Sequence, residues 1–342
     1  MKARLYTFIM LLISCATSFA QQQAYYTQYV LNPFVSNPAL AGIETYWDVK
    51  FSYRDQWQGI EGAPQTTYVT VNGPLKKILN SKHTTGTVPA PVPDSRKKIR
   101  STYAQKYKAI TPHGGAGLVF YNDKTGPINR YVIQGSYAYH IGVAPKTSIS
   151  FGLGGGIQGV RLNTNQLDFG TSNPNDPSVI VNGNVNDIRP DLSAGVWVYS
   201  AFYFIGGAAQ NLIPVKTMYG QTSAEQVIKP NMMLSAGYKF LLNDQISFLP
   251  STMIKFVNNA PINFDINAKV QYRDILWTGL SYRHSKTLAG MLGINVNSTM
   301  NFAYAYDFMA SELHNVNRGT HEIVIGLLLG NRNRVLCPRD FW

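Results

Sequence analysis

The chain has 342 residues, of which only 14% are charged, against roughly 25% in an average soluble domain. No stretch approaches the roughly 18 consecutive apolar residues of a membrane-spanning helix, which excludes a helical membrane protein. Cys337 is the only cysteine after residue 20, which excludes a disulfide framework and a metal site built on cysteines. The formal net charge of +12 is uneven, because much of it lies in residues 76–108.

The N-terminus has the three parts of a secretory signal peptide. Lys2 and Arg4 precede an apolar stretch over residues 5–13, and Ser18 and Ala20 place small side chains before the expected cleavage site. We therefore expect residues 1–20 to be a signal peptide that is cleaved after Ala20. A lipoprotein signal at Cys15 is the alternative, although the residue before this cysteine and the downstream Ser-Phe-Ala favour ordinary cleavage.

Residues 21–45 differ from the rest of the chain. They contain three tyrosines and two Asn-Pro pairs, Asn32-Pro33 and Asn37-Pro38. Because Asn-Pro pairs favour turns, we predict an ordered periplasmic lead-in here rather than a strand.

Residues 262–273 alternate between apolar and polar side chains over their whole length. Successive side chains of a β-strand point to opposite faces, so this strand has one apolar and one polar face. A tilted membrane-spanning strand needs about 9–11 residues, which makes the segment long enough to cross a bilayer. We expect Phe264, Ile266, Val270 and Tyr272 to face lipid, and Asp265, Lys269 and Arg273 to face a lumen.

Similar segments follow one another along the chain and predict an all-β fold. The fourteen predicted strands are 47–56, 65–72, 114–121, 130–140, 148–160, 191–199, 202–209, 231–241, 246–256, 262–273, 276–284, 287–296, 300–308 and 321–329. An even number of strands is typical of single-chain outer-membrane barrels. We therefore predict an antiparallel outer-membrane β-barrel of about 14 strands over residues 46–330, followed by a C-terminal tail, 331–342.

The connections support this topology. Links 200–201, 242–245, 274–275 and 297–299 are short, whereas 162–190, 210–229 and 309–320 on the other side are longer, which is the pattern of periplasmic turns and outer loops. Within segment 148–160, four glycines weaken the alternation of apolar and polar side chains. We predict that these small residues let a plug or a bend of the chain approach the barrel wall. These glycines are Gly152, Gly154, Gly155 and Gly156.

A basic insert, residues 75–111, interrupts the strands. Between residues 76 and 108 it holds nine basic side chains against one acidic residue, Asp94. The strand count places this insert on the periplasmic side. A solvated loop and a patch that contacts acidic protein or lipid headgroups both remain open. Nucleic-acid binding is disfavoured because the protein is exported and few aromatic residues are interleaved.

Two soluble folds and several kinds of chemistry compete with this interpretation. A lipocalin-like barrel needs about eight strands and a charged exterior, and a two-domain β-sandwich is the other rival. Gly154, Gly156 and Gly159 fit a phosphate-binding spacing, but no helix follows them. The histidines lack metal-binding spacing, and no local signature of a hydrolase is present. We therefore predict no catalytic, cofactor or metal residues, and no enzymatic activity.

Several stretches in order along residues 25–342 resemble the PorP/SprF family of type IX secretion membrane proteins. The most specific are Tyr53-Arg54-Asp55-Gln56-Trp57-Gln58-Gly59 with Gly62-Ala63-Pro64, and the lead-in Asn37-Pro38-Ala39-Leu40-Ala41-Gly42. Others are Arg189-Pro190-Asp191, Thr320-His321-Glu322 and Cys337-Pro338-Arg339. The insert 76–110 is longer and more basic than the family pattern, so no role is inherited there.

The resemblance implies a non-enzymatic barrel in the outer membrane of a Gram-negative bacterium, without cofactors. Its function would be secretion or surface attachment of cargo such as adhesins used in gliding motility. Its partners would be outer-membrane lipid, periplasmic type IX components and the cargo. A general porin-like channel is the alternative. Family-motif positions with a structural or partner-contact role would be Asn37, Pro38, Ala39, Gly42, Arg54, Gln56, Trp57, Gly59, Gly62, Ala63, Pro64, Asp191, His321, Glu322, Cys337 and Pro338.

Overall fold

The computed structural model describes most of the chain after residue 27. The described residues are 28–75, 88–89, 107, 109–163, 184–213, 216–217, 226–227, 230–243, 245–257, 260–273, 275–284, 287–297, 299–309, 317–331 and 335–336. The signal peptide and most of the basic insert lie outside these residues, as do Cys337 and Pro338.

The described chain forms a closed antiparallel barrel of fourteen strands, which confirms the predicted fold. The strands are β1 (Trp47–Asp55), β2 (Gln65–Pro74), β3 (His113–Thr125), β4 (Ile128–Ala144), β5 (Thr147–Asn163), β6 (Asn184–Tyr199), β7 (Tyr203–Gln210), β8 (Asn231–Tyr238), β9 (Ile246–Val257), β10 (Asn263–Tyr272), β11 (Leu276–Arg283), β12 (Thr287–Asn295), β13 (Met300–Met309) and β14 (Thr320–Leu329). Phe240–Leu241 continues β8 along β9. Each strand pairs with the next, and the pairing of β1 with β14 from Trp47–Leu329 to Asp55–His321 closes the barrel.

The barrel is apolar outside and polar inside. On β10, Asp265 and Asn267 are 2% and 1% exposed, whereas Ile266 is 53% exposed. The same alternation holds on β1, where Lys50, Ser52 and Arg54 are buried. Such a surface suits lipid and excludes a lipocalin-like barrel, whose apolar residues would point inward. The barrel therefore belongs in the outer membrane, as the sequence predicts.

Arg273, at the end of the segment 262–273, does not follow the predicted alternation of faces. Arg273 lies outside the strand, exposed, in a turn where its backbone has a φ of 51°. Its Nε donates to Oε1 of Gln245 at 3.2 Å. The prediction that Arg273 faces the lumen is therefore wrong, because the chain turns before the alternation reaches it.

The predicted outer loop 162–190 is also shorter than expected. β5 continues to Asn163 and β6 begins at Asn184, so Arg189, Pro190 and Asp191 are strand residues. Ile157 pairs with Pro190, and the ladder extends to the Asn163–Asn184 pair. This hairpin needs no apolar face where it extends beyond lipid, so its polar composition resembles that of a loop.

The connections divide between two ends of the barrel. The inner end, as we call it, carries 75–112, 145–146, 200–202, 242–245, 273–275 and 296–299; the outer end carries 56–64, 126–127, 164–183, 211–230, 258–262, 284–286 and 310–319. Most inner connections are short, which by the rule for outer-membrane barrels places the inner end in the periplasm. The basic insert joins β2 to β3 at this end, and these two strands pair directly. No barrel strand is therefore missing between them.

Helical structure is confined to the lead-in within the described residues. α1 (Gln28–Leu31) is followed by the 3-10 turns Pro33–Val35 and Pro38–Leu40. Two short ladders pair Val88–Pro89 with Val335–Leu336 and Lys216–Thr217 with Gln226–Val227. No helix in the described ranges is long and apolar enough to cross a membrane.

The face assignment predicts how the barrel tolerates charge. Leu280 is 70% exposed in the middle of β11, so Leu280→Arg should lower the free energy of unfolding in lipid vesicles by about 2–4 kcal/mol. Ile262 is exposed beside the outer end of β10, and Ile262→Arg should cost about 0–1 kcal/mol. Urea unfolding measures both, and equal effects at the two positions would contradict the assignment.

Candidate functional site in the barrel lumen

The lead-in lies inside the barrel. Residues 28–46, which we call the lumen plug, include Ala39, Leu40, Ala41 and Ile43, each at most 1% exposed. They form one buried cluster with inward residues of the wall, among them Val119, Ala138 and Trp197. The sequence predicts a periplasmic lead-in, whereas the described part of the lead-in lies in the lumen. The Asn-Pro pairs explain the compactness, since they start the two 3-10 turns that fold the chain back on itself.

Glycines on the inner face of the wall let the plug approach it. A Cβ at Gly152 on β5 would meet the backbone of Ala39, and one at Gly115 on β3 would meet that of Ala41, closer than real Cβ atoms come. A Cβ at Gly117 would likewise meet the side chain of Phe34, and one at Gly195 would meet that of Asn37. The prediction that small residues admit a plug is therefore confirmed at Gly152.

The other glycines of that segment do not contact the plug. Gly155 points outward and has no atom near its Cβ position. Gly154 packs against Ser193 on β6 and Gln134 on β4, and Gly156 packs against Ile133 and Gln134 on β4.

Two histidines of the wall hold the plug through its backbone. Nε2 of His140 lies 2.9 Å from the carbonyl oxygen of Ala41, and Nε2 of His113 lies 3.0 Å from that of Gly42. The two imidazole rings stack with centroids 4.6 Å apart. Ser150 Oγ donates to the carbonyl oxygen of Ala39 at 2.8 Å. Since a buried carbonyl left unpaired is costly, these side chains fix the course of the plug.

Amide and ammonium groups complete this attachment. Asn37 accepts from the N–H of Ala39 at 2.9 Å, and its Nδ2 donates to the carbonyl oxygens of Val196 and Gly207, both at 3.2 Å. It thus contacts β6 and β7 together. On the other side, Lys50 Nζ donates to the carbonyl oxygen of Leu31 at 2.8 Å.

The start of the plug reaches the opposite wall. Leu31 packs with Met291, Ala303, Ala305 and Val324 of β12, β13 and β14, and Val30 lies against the same cluster. Val30 also contacts the cluster formed by Ala208, Met233 and Met253 on β7, β8 and β9. The start of the plug therefore bridges the lumen from wall to wall at this level.

The last part of the basic insert also enters the inner end. Tyr107 and Ile110 are 1% and 3% exposed and belong to the cluster around the plug. The N–H of Ala109 donates to Pro145 O at 2.9 Å, and that of Ile110 donates to Ser148 Oγ at 3.0 Å. Burial raises the pKa of the Tyr107 phenol to about 12. Tyr107, Ala109 and Ile110 thus anchor the last part of the insert beside the plug.

An ion-pair cluster lies in the lumen toward the outer end. Arg54 Nη2 is 2.8 Å from Asp307 Oδ2, and its Nη1 is 3.5 Å from Glu322 Oε2. Arg283 lies 3.5 Å from Asp265 and 3.8 Å from Asp307. Every side chain in these pairs is at most 5% exposed. Removing one partner would leave a buried charge without its counter-charge, so the five strands that contribute, β1, β10, β11, β13 and β14, are tied together.

The most specific family motif folds into the loop beside this cluster. The N–H of Gln56 donates to Pro64 O at 2.9 Å, which closes the loop 56–64. Trp57 has a φ of 52°, and its Nε1 donates to Met309 Sδ at 2.8 Å. Gln58 exchanges backbone hydrogen bonds with Arg318 and Gly319 in the loop before β14. Gly59 and Gly62 have φ values of 101° and 71°, which side chains rarely adopt.

The structure separates the other motif residues. Asn37, Pro38, Ala39 and Gly42 belong to the plug, whereas Arg54, Gln56, Trp57, Gly59, Gly62, Ala63, Pro64 and Glu322 lie at the outer end. His321 precedes Glu322 but points to the lipid side, where its Nδ1 is 2.7 Å from Tyr304 Oη. Asp191 faces the lumen and accepts from Gln134 Nε2 at 3.3 Å. The roles of these positions stay predictions.

Sequence reasoning missed the histidine pair and the glycines Gly115, Gly117 and Gly195. His140 stands on the polar face of its strand, so its inward direction was readable. Its partner was not, since His140 and Ala41 are 99 positions apart in the chain. Among the described residues, no group of three or more His, Cys, Asp or Glu could hold a metal ion.

Comparison with known proteins gives a family match and distant structural likenesses. The family model described as type IX secretion system membrane protein PorP/SprF matches residues 18–327. No curated protein matches. Among solved structures, the Ralstonia pickettii toluene transporter TbuX is 10% identical, with a TM-score of 0.46 over 88% of this chain and 92% of that one. The Acinetobacter baumannii outer membrane protein Omp33 is 7% identical, with a TM-score of 0.44 over 84% and 100%.

The glycine contacts predict a specific effect of adding a side chain. Gly152→Val should lower the free energy of unfolding by about 1–3 kcal/mol, because its Cβ displaces the plug. Gly155→Val is the matched control, since it adds the same atoms to the open outer face of β5 and should change stability by less than about 0.5 kcal/mol. Urea unfolding in lipid measures both, and a stable Gly152→Val protein would contradict the close approach.

The ion-pair cluster predicts a second effect. Arg54→Met should destabilise the barrel by about 3–5 kcal/mol, because Asp307 and Glu322 lose a buried cation. Arg130 is exposed on β4, so Arg130→Met should stay within about 0.5 kcal/mol of the unaltered protein. If both substitutions have the same effect, the cluster does not tie the strands together.

Proposed function

Since the chain belongs to the type IX secretion system membrane protein PorP/SprF family, we propose that it supports secretion or surface attachment of a cargo protein, such as an adhesin. It would do so as a non-enzymatic outer-membrane barrel of the secretion or gliding machinery. The barrel provides a rigid body in the membrane. Partners would dock on its two ends instead of passing through it.

The observation that carries this proposal is that the plug crosses the lumen. A diffusion channel needs a continuous water-filled path, whereas Val30 and Leu31 bridge the two walls and Ala39–Gly42 is held against β3, β4 and β5. The plug belongs to the same chain and is attached at many points. This arrangement favours docking over general permeation.

The two ends suit different partners. At the outer end, the family motif forms the closed loop 56–64 on the loop before β14, which would offer cargo a firm surface. At the inner end, the insert with nine basic residues and Asp94 is anchored beside the plug by Tyr107 and Ile110. Its positive charge would favour an acidic surface on a periplasmic component of the machinery.

A deletion strain tests the cargo role. Loss of the gene should remove at least one protein from the cell surface, and the tagged barrel should co-purify with that protein or with periplasmic components. Complementation with the Gly155→Val gene should restore both results, because this substitution touches only the lipid face. An unchanged surface proteome together with a barrel that purifies alone would overturn the proposal.

Conductance in planar bilayers tests the porin alternative. The intact barrel should pass little current, and deletion of residues 28–42 should open stable channels, because it empties the lumen. If the intact barrel conducts as well as the deletion variant, a general porin becomes the better description.

A further inference from the structure

A pocket remains in the lumen on the inner side of the plug. Val30, Leu31 and Asn37 of the plug form one side, and inward residues of the wall form the rest. Asn295 and Asn301, at the inner ends of β12 and β13, are part of the lining, so the pocket opens toward the inner end. Its cavity volume is about 120 Å³. A closed cavity of roughly 150 Å³ can hold benzene, so this pocket, which is open on one side, is close to the size of one aromatic ring.

The charged residues that line the pocket are all basic. Lys50 and Lys269 contribute ammonium groups, and no described lining residue is acidic, although the Lys50 ammonium lies 3.7 Å from the buried carboxylate of Asp48 behind the lining. Lys269 Nζ lies 4.8 Å from the ring centroid of Trp277, which holds the ammonium group at the pocket wall. Gln271, two positions further on the same face of β10, adds an amide, as do Asn295 and Asn301 at the inner end. These groups would donate to an anionic oxygen.

Much of the remaining lining is apolar, with Ser36, Ser235 and Ser251 as its hydroxyl groups. Trp197 and Phe204 stack with ring centroids 5.0 Å apart. Together with Leu249, Ala303 and Val324 they give an apolar surface next to the ammonium groups. A pocket with a largely apolar wall and a few convergent donors suits a ligand that has an apolar part and a group that accepts hydrogen bonds.

From this geometry we propose that the inner pocket binds a small carboxylate with an adjoining apolar group the size of an aromatic ring. The carboxylate accepts from Lys269 and the neighbouring amides, and the ring packs on Trp277 and Phe204. Two sources share this chemistry, a free arylalkyl carboxylate and the C-terminal Phe of a peptide. The proposal is independent of the secretion role, because it concerns the purified barrel alone.

Ligand-detected NMR on the barrel in nanodiscs tests the proposal with 3-phenylpropanoate and its neutral amide as probes. The carboxylate should bind saturably and about tenfold more tightly than the amide, as expected when a charged hydrogen bond is gained. Lys269→Met keeps the length of the side chain and should abolish this preference, whereas Lys269→Arg should retain it. Equal binding of both probes to the unaltered barrel, or no saturable binding, would overturn the proposal.

Two further variants separate the pocket from general effects. Lys146 is exposed in the turn 145–146 at the same end, so Lys146→Met should leave binding unchanged. Ser235 lines the pocket, and Ser235→Phe should fill it and weaken carboxylate binding about tenfold or more without removing a charge. If Lys146→Met abolishes the preference, or if Ser235→Phe binds normally, the ligand lies elsewhere and the proposal fails.

Binding of a short peptide distinguishes the two sources of the ligand. A tetrapeptide Ala-Ala-Ala-Phe with a free carboxylate is compared with 3-phenylpropanoate and with its own C-terminal amide. Tighter binding of the free-carboxylate peptide supports a protein C-terminus, and tighter binding of 3-phenylpropanoate supports a free carboxylate. Equal binding of the peptide acid and the peptide amide, together with equal binding of the small probes, would contradict both sources.

Discussion

The structure depends on one constraint: each backbone N–H and C=O within lipid needs a partner in the protein. An open sheet fails because its edge strands would leave a row of unpaired groups in the hydrocarbon. The pairing of β1 with β14 meets this requirement and makes the first and last strands neighbours. Closure creates an interior that contacts no lipid. The polar residues excluded from the outer surface are collected there.

The polar groups of this interior must find their partners within the protein, and the barrel provides these partners in two ways. Toward the outer end, inward charges pair with one another, as Arg54 does with Asp307 and Glu322. At the level of the plug, histidine, serine and lysine side chains bind the backbone of a second segment. The plug therefore completes the wall as much as it blocks the lumen. Its backbone carbonyls would lose these partners if it left.

The family motifs acquire physical meaning from this division. The Asn-Pro motif builds the plug, and the motif around Arg54 builds both the ion-pair cluster and the outer loop that follows it. One stretch of chain, residues 53–64, thus connects a buried charge to an exposed loop within a few positions. A docking role at the outer end would rest on a surface that is fixed from within the barrel. The inner pocket, lined by Lys50 and Lys269, lies on the opposite side of the plug.

The amino-acid sequence by itself determined the strands and their faces. Alternation has a period of two residues, so Asp265 and Ile266 reveal opposite sides without knowledge of any neighbour. Short turns and an even count of strands then predicted the barrel. Only the tertiary structure decided where the lead-in lies, which glycines admit it, and that Arg273 leaves the lumen. Arg54 and Asp307 are 253 positions apart, and Asn37 and Val196 are 159 apart. Such contacts depend on closure of the whole barrel, and no local pattern encodes them.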